Sequence, residues 1–204
     1  MKVVYHFISK FENGGIENQF INTFIKKSNS GVKHNVICES KKESIHDSNL
    51  KTYGVRFHII KNKSKFFKLI SFAKIIRKNN IKIVHVHISY ITTMIYGILA
   101  KFIGAKKVVL HVHSTRPINF FISKIFRAIL VHIAKFLNIE LVSDSDDAGK
   151  VFFKKNYKIL PMDIDYNKYK FSLEHRRSQR KNFHVTNEII LCNIGRQDEN
   201  KNQI

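Results

Sequence analysis

The sequence predicts an α/β protein built on a Rossmann-like, doubly wound parallel sheet. Three observations carry this. Short runs of aliphatic and β-branched residues recur along residues 1–164. They alternate with stretches whose apolar residues repeat at helical spacing. The runs themselves are apolar nearly throughout, the pattern of strands covered by helices on both faces.

Taken in order, KVVYHFI (2–8) reads as the first strand. Beyond Gly15, the spacing of Ile16, Phe20, Ile21, Phe24 and Ile25 predicts a helix. HNVICES (34–40), introduced by Gly31, is the second strand and VRFHII (55–60) the third. SKFFKLISFAKIIRKN (64–79) sets an apolar stripe against a basic one and predicts a helix. IKIVHVHIS (81–89) is a dense β-branched strand, and the helix after it stops at Gly104. KKVVLHVHS (106–114) is the next strand, followed by a long basic helix (118–137), the strand IELVSDS (139–145) and a short helix from near Asp146. YKILPMD (157–163) supplies the last short strand. Residues 1–164 therefore read as one domain, and the polar, basic segment 165–187 as a linker. Residues 188–204 read as the first strand and loop of a second domain, expected to be truncated here.

Charge is the compositional outlier. Among 204 residues, 36 Lys and Arg face 15 Asp and Glu, a net +21. No acid occurs from Ser48 to Ile139, a stretch with 17 Lys or Arg. Such a field attracts polyanions, either nucleic acid or an anionic membrane leaflet. Phe66, Phe67 and Phe72 lie among Lys65, Lys68 and Lys74, and Phe120, Phe121, Phe126 and Phe136 repeat the pattern. Lysines on the outer face of a crossover helix are commonly only solvated. Interleaved with aromatics, they also fit an interfacial amphipathic helix. Nucleic acid is disfavoured as a partner, because no recognised nucleic-acid motif accompanies the charge.

Cys38 and Cys192 stand far apart without metal or redox spacing, which speaks for a reducing compartment rather than a disulfide framework. The apolar run after Met1 is too short for a secretory signal. Apolar stretches at 88–104 and 117–137 are interrupted by Lys101, and by Lys124, Arg127, His132 and Lys135, so no membrane span is expected. The expected location is cytoplasmic and peripheral, at the inner face of the cell membrane.

Ligands of an open parallel sheet gather at the carboxyl ends of the strands. There the sequence places Asn13-Gly14-Gly15, then His85 and His87 with Ser89 and Tyr90, then His111 and His113 with Ser114, Thr115 and Arg116, and last Ser143, Asp144 and Ser145. Gly14 and Gly15 serve either a plain turn or a close approach of ligand to backbone. Each His-x-His pair is either two core residues on one strand face or part of a site. A zinc site is disfavoured, since no cysteine or carboxylate nearby completes a tetrahedron. Gly-Gly alone lacks the G-x-G-x-x-G dinucleotide fingerprint, and no phosphate-binding G-x-x-x-x-G-K-[ST] loop occurs.

Several of these stretches, in this order, resemble the family 4 glycosyltransferases of bacterial capsule and exopolysaccharide synthesis, which have the two-lobed GT-B fold. NGGIENQFIN resembles the family's Gly-Gly loop. IVHVHISYITTMIYGILAKFIGAKKVVLHVHST resembles its two histidine strands and the helix between them, and LVSDSDDAGKVFF its Ser-bearing strand and helix. KILPMDIDYNKYKF corresponds to a segment whose usual Asn-Gly is Met162-Asp163 here, and IGRQDENKN resembles the donor loop.

The resemblance implies sugar transfer from a nucleotide sugar to a lipid-linked or polysaccharide acceptor, with retention of configuration and without metal or other cofactor. His113 matches the histidine near the transferred sugar. Arg196 and Lys201 match the pair that neutralises the departing diphosphate. Gly14 and Gly15 would let acceptor or diphosphate approach backbone amides. His87, Ser114 and Ser145 complete the expected binding rim. The family's glutamate pair lies in a second lobe, so this chain is expected to be inactive or very weak alone, or to take that lobe from a separate chain. The alternative is a non-catalytic basic module that binds an anionic surface.

Overall fold

The computed structural model describes residues 2–26, 31–45, 47–113, 121–164 and 166–194. Seven parallel strands form one sheet: β1 (Lys2–Ile8), β3 (Val32–Cys38), β5 (Phe57–Ile59), β6 (Ile83–Ile88), β7 (Lys107–Val112), β8 (Glu140–Ser143) and β9 (Lys158–Ile159). Their order is β5-β3-β1-β6-β7-β8-β9. The chain thus steps outward from β1 in one direction, returns, and steps outward in the other, so the switch point lies between β1 and β6. The doubly wound sheet is as the sequence predicts. Both edge strands are shorter than expected: β5 covers three residues of 55–60, and β9 two of 157–163. A second ribbon pairs β2 (Lys10–Phe11) with β4 (Ser40–Lys41) and ties the loop after β1 to the loop after β3.

Alternation along the strands sorts the core onto two faces. On one face Phe7, Val84, Val86, Val108 and Leu110 pack under α3 (Lys65–Lys78), α4 (Met94–Ile103), α5 (Phe121–Phe136) and α6 (Asp146–Phe153). Gly97 of α4 lies where a Cβ would be 2.6 Å from Leu110, so the helix sits directly on the strand. Gly104 ends α4 in the left-handed conformation, φ 109°, that glycine adopts without strain. On the other face Ile8, Val36 and Cys38 pack with Phe20, Ile21 and Ile25, and with Leu50 of α2 (Asp47–Thr52).

The helix expected after Gly15 forms as α1 (Gly15–Gln19) and continues through Phe20–Ile25 in the wider π form, with Lys26 N–H bonded to the Ile21 carbonyl. This turn lays Phe20 and Phe24 over the sheet.

Residues 1–164 make one compact unit and 165–204 a second. The segment 165–187, expected as a linker, instead holds α7 (Tyr166–Tyr169) and α8 (Leu173–Asn182). Ser172 caps α8 by accepting from the His175 N–H, an end signal that needs no apolar stripe. The strand expected from residue 188 is absent over 188–194. Among the described residues no strand pairs with that segment, and an apolar run without one has nothing to receive its backbone bonds. Among the described residues, no helix is long and apolar enough to cross a membrane.

Candidate active site

The switch point gathers histidines on one sheet face. His6 of β1 is in register with His85 of β6, and His87 of β6 with His111 of β7. His113 follows β7, and Asp144 follows β8, the residues next in register after the Val112–Ser143 pair. Period two places all of them on the face that carries Val36 and Ile8. Phe20 and Phe24 close over His6 with ring centroids at 4.8 Å, and Phe24 meets His85 at 5.0 Å. His6, His87 and His111 have no exposed surface.

The rings form hydrogen-bonded lines that converge on one carboxylate. His34 Nδ1 lies 3.0 Å from His6 Nε2, His6 Nδ1 3.0 Å from His87 Nε2, and His87 Nδ1 2.9 Å from His113 Nε2. His113 Nδ1 is 2.8 Å from Asp144 Oδ2. A shorter line joins His85 Nε2 to His111 Nδ1 at 3.2 Å. His111 Nε2 then lies 2.8 Å from Asp144 Oδ1 but off the direction of a hydrogen bond, so that contact is electrostatic. Gln19 Nε2 donates to the same oxygen at 2.7 Å.

Burial pushes His6, His85 and His87 well below the ordinary imidazole value, and neighbouring imidazoles push the same way. Burial lowers His111 as well, opposed by the Asp144 carboxylate. Burial alone would raise Asp144, but the histidines beside it and Gln19 outweigh that and hold it far below the usual carboxylate range. His6, His85, His87 and His111 are therefore pushed toward the neutral form close to an anion. His6, His85 and His87, and likewise His87, His111 and His113, bring ring nitrogens within 4.8 Å of one another. The carboxylate expected to be missing near these histidines is present, since Asp144 meets His111 and His113, but an ion shared there would have to displace bonds the rings already make to each other.

The glycine loop is built by its acids and amides. Glu17, buried in α1, reaches back past Gly14 to accept from the Glu12 N–H at 2.9 Å. A Cβ on Gly14 would sit 2.7 Å from the Glu17 carboxylate, whereas one on Gly15 would meet nothing within 4 Å. Gly14 is thus required by packing inside the loop, and Gly15 faces open space. Asn13 Oδ1 accepts from Ser44 Oγ and from the Ile45 N–H, which fastens the loop to its neighbour after β4.

Beside this edge, on the α3 side, lies a pocket of about 390 Å³ lined by Ser9, Lys10, Glu39, Lys65, Lys68, Tyr90 and Tyr96, among others. Lys68 pairs with Glu39, whose other oxygen accepts from Tyr96 Oη at 2.7 Å. Lys10 and Lys65 are exposed. Leu69 and Ile95 also line an apolar groove of about 370 Å³ between α3 and α4, bordered by the exposed Phe66 and Phe102.

Of the residues expected in the site, Gly14, Gly15, His87, His113 and Ser145 share this end of the sheet. His87 lies beneath the surface with both ring nitrogens engaged, and His113 likewise has both engaged. Ser145 caps α6 by accepting from the Ala148 N–H. Ser114, Arg196 and Lys201 lie outside the described residues. The sequence reading placed Asp144 on the rim without seeing it as the anchor, and it passed over His6, His34, Gln19 and Lys10. For these the available signal was the register between distant strands.

A Rossmann-like sheet with a polar cluster at its switch point has the ordinary place for a ligand in such folds, and comparison with known proteins gives the family. The chain belongs to the glycosyl transferase 4-like family, whose sequence model matches residues 17–138. It is 25% identical, over 209 aligned positions, to the capsular polysaccharide biosynthesis glycosyltransferase CapH of Staphylococcus aureus, covering 98% of this chain and 55% of that protein. Anabaena Alr3699/HepE in complex with UDP-glucose superposes with a TM-score of 0.64 at 16% identity, over 92% of this chain and 51% of that one. S. aureus MnaA bound to UDP gives 0.52 at 15% identity, over 90% and 50%. At such identities the two structures show the fold alone. The chain spans about half the length of the relatives it matches.

Proposed function

We propose that this chain is the acceptor-side lobe of a glycosyltransferase that moves a sugar from a nucleotide-sugar donor to a lipid-linked or polysaccharide acceptor. The family match over residues 17–138 carries this reading. The name of CapH and the UDP-glucose bound to HepE supply the substrate classes. Open space beside Gly15 lets a ligand reach the backbone at the start of α1. Arg196 and Lys201 are proposed to stabilise the charge that grows on the leaving diphosphate, where fixed cations contribute most in the transition state. His113 stands beside the transferred sugar in this reading. With both its ring nitrogens bonded inside the protein it offers no lone pair as a base, in keeping with a retaining transfer that uses none. No cofactor or metal is included.

The acceptor's anionic group is assigned to the pocket of Lys10 and Lys65, and its apolar part to the adjoining groove. The exposed Phe66 and Phe67 next to Lys61, Lys63 and Lys65 suit contact with an anionic leaflet, and this supports reading the lobe as peripheral at the inner membrane face. Placing valine at the Gly15 position of a full-length active relative tests the reading. Loss of transfer from nucleotide sugar with retained folding is expected, and unchanged transfer would make the glycine a turn residue only.

A second reading, a non-catalytic basic module, rests on the acid-free stretch from residue 48 to 139. Flotation with vesicles of anionic and of neutral lipid, beside a gel-shift assay with RNA, separates a membrane from a nucleic acid as the anionic partner. Binding to anionic vesicles that weakens on charge reversal of Lys61, Lys63 and Lys65 supports the membrane assignment. Tight RNA binding without vesicle binding would overturn it.

A further inference from the structure

We propose that Asp144 is a positioning residue that fixes the tautomer of His113 and, through it, of His87, His6 and His34. Together they form an imidazole line of single polarity across five strands of the sheet. A carboxylate accepts but does not donate. His113 Nδ1 faces Asp144 Oδ2 at 2.8 Å, so it carries the proton. In a neutral ring the other nitrogen, Nε2, then holds the lone pair, and it faces His87 Nδ1 at 2.9 Å. That nitrogen must donate. The same step repeats from His87 Nε2 to His6 Nδ1 and from His6 Nε2 to His34 Nδ1, each at 3.0 Å. All four rings are thereby Nδ1–H.

The shorter line has the opposite sense. His111 Nε2 lies 2.8 Å from Asp144 Oδ1 without an aligned hydrogen bond, but a lone pair there would face an anion, so the proton is favoured on Nε2 and Nδ1 accepts from His85 Nε2–H. One carboxylate therefore sets two tautomer classes among six rings, and Phe20 and Phe24 cover His6 and His85.

The polarity reverses only by a coupled shift. Asp144 would take the Nδ1 proton of His113, and His113 Nε2 the Nδ1 proton of His87. His87 Nε2 would take that of His6, His6 Nε2 that of His34, and His34 Nε2 one proton from solvent. The net change is one proton gained and the Asp144 charge neutralised. While Asp144 stays a carboxylate the line is held one way, and His113 is held in one orientation at the strand end. Changing the acid of such a pair to its amide leaves the geometry and alters the tautomer, a behaviour known from the Asp-His-Ser triad.

Long-range ¹H–¹⁵N correlation spectra of the chain labelled with ¹⁵N-histidine test the inference at neutral pH, with no need for transfer activity. Expected are Nδ1–H signatures for His113, His87, His6 and His34, and Nε2–H signatures for His111 and His85. In Asp144→Asn, whose amide can donate to His113, the first four are expected to move to Nε2–H while the backbone amide spectrum persists. If that variant does not fold, the assignment in the unaltered chain still decides. Nε2–H at His113 or His87 in the unaltered chain, imidazolium at neutral pH, or a stoichiometric bound metal consuming these lone pairs would overturn it. A failure of the glycosyltransferase reading leaves these spectra unchanged.

Discussion

Gln19 Nε2 donates to Asp144 Oδ1 at 2.7 Å, binding the first helix to the loop after the fifth long strand. The two residues are 125 positions apart in the chain. Gln19 is fully buried, and among the described residues its own Oε1 has no hydrogen-bond partner, so the residue keeps an orphaned acceptor beside this one donor. Gln19→Ala removes this donor from Asp144 Oδ1, and the off-line His111 does not replace it. A hydrogen bond to a buried charge is worth about 2 kcal/mol, so a loss of that size is expected. Gln19→Glu, which sets carboxylate against carboxylate, should cost more. Urea unfolding of the three proteins checks this: the midpoints should fall in that order with the slope unchanged.

The two adjacent glycines should respond in opposite directions. Gly14→Ala forces the Glu17 carboxylate off the Glu12 N–H and is expected to destabilise by about 1 kcal/mol. Gly15→Ala meets open space at the first position of α1, and should stabilise by about 0.5 kcal/mol through reduced freedom of the unfolded chain. A double-mutant cycle with Glu17→Ala isolates the cause, since Gly14→Ala should become nearly neutral in that background. An equal cost with and without Glu17 would place the strain elsewhere.

These results bear on what was legible in the sequence. The sheet was legible because parallel strands covered on both faces are apolar throughout, and nothing else in the chain mimics IVHVHI or KVVLHV. The helix 173–182 was not, because it buries no residue and so carries no apolar period; only its Ser172 cap marked it. The two-residue strands β2 and β4 are too short to leave a pattern. In the site, the His-x-His spacing showed two pairs sharing a face. It did not show that His6 and His34 extend them, since those links run between residues 81 and 28 positions apart and depend on strand register. Gly14 invited a ligand-based explanation because its true neighbour, the folded-back carboxylate of Glu17, is visible only in three dimensions.

The two cysteines should differ sharply toward a thiol reagent. Cys38 lies in β3 with no exposed surface, and burial raises its thiol to about 11 despite the opposing Lys41. Cys192 is exposed. At pH 8 a disulfide reagent should therefore modify one thiol per chain quickly and the second only on unfolding. Cys192→Ser should abolish the fast phase. Two fast thiols in the native protein would contradict the packing of β3 against the first helix.

Acid should unfold the protein earlier than its net charge alone suggests, through the buried histidines. His6, His85 and His87 have folded values well below 6.5, whereas in the unfolded chain they return to about that value. Below 6.5 the unfolded state thus binds more protons than the folded one, and stability falls as pH falls. Each such ring contributes a slope of up to about 1.4 kcal/mol per pH unit between its unfolded and its folded value. Asp144 adds a second loss lower down. Its folded value lies below that of a free carboxyl, so its contribution is present above the unfolded value and disappears as pH drops through the folded one. Unfolding midpoints in urea, measured from pH 7.5 to pH 5, should fall steadily and most steeply below 6.5. His6→Phe, which keeps an aromatic ring against Phe20 and Phe24 and removes one titrating group, should flatten that slope even if it lowers stability at pH 7.5. A profile that is level or rising toward pH 5 would mean these rings take up protons in place, which an enclosed, single-polarity line does not allow.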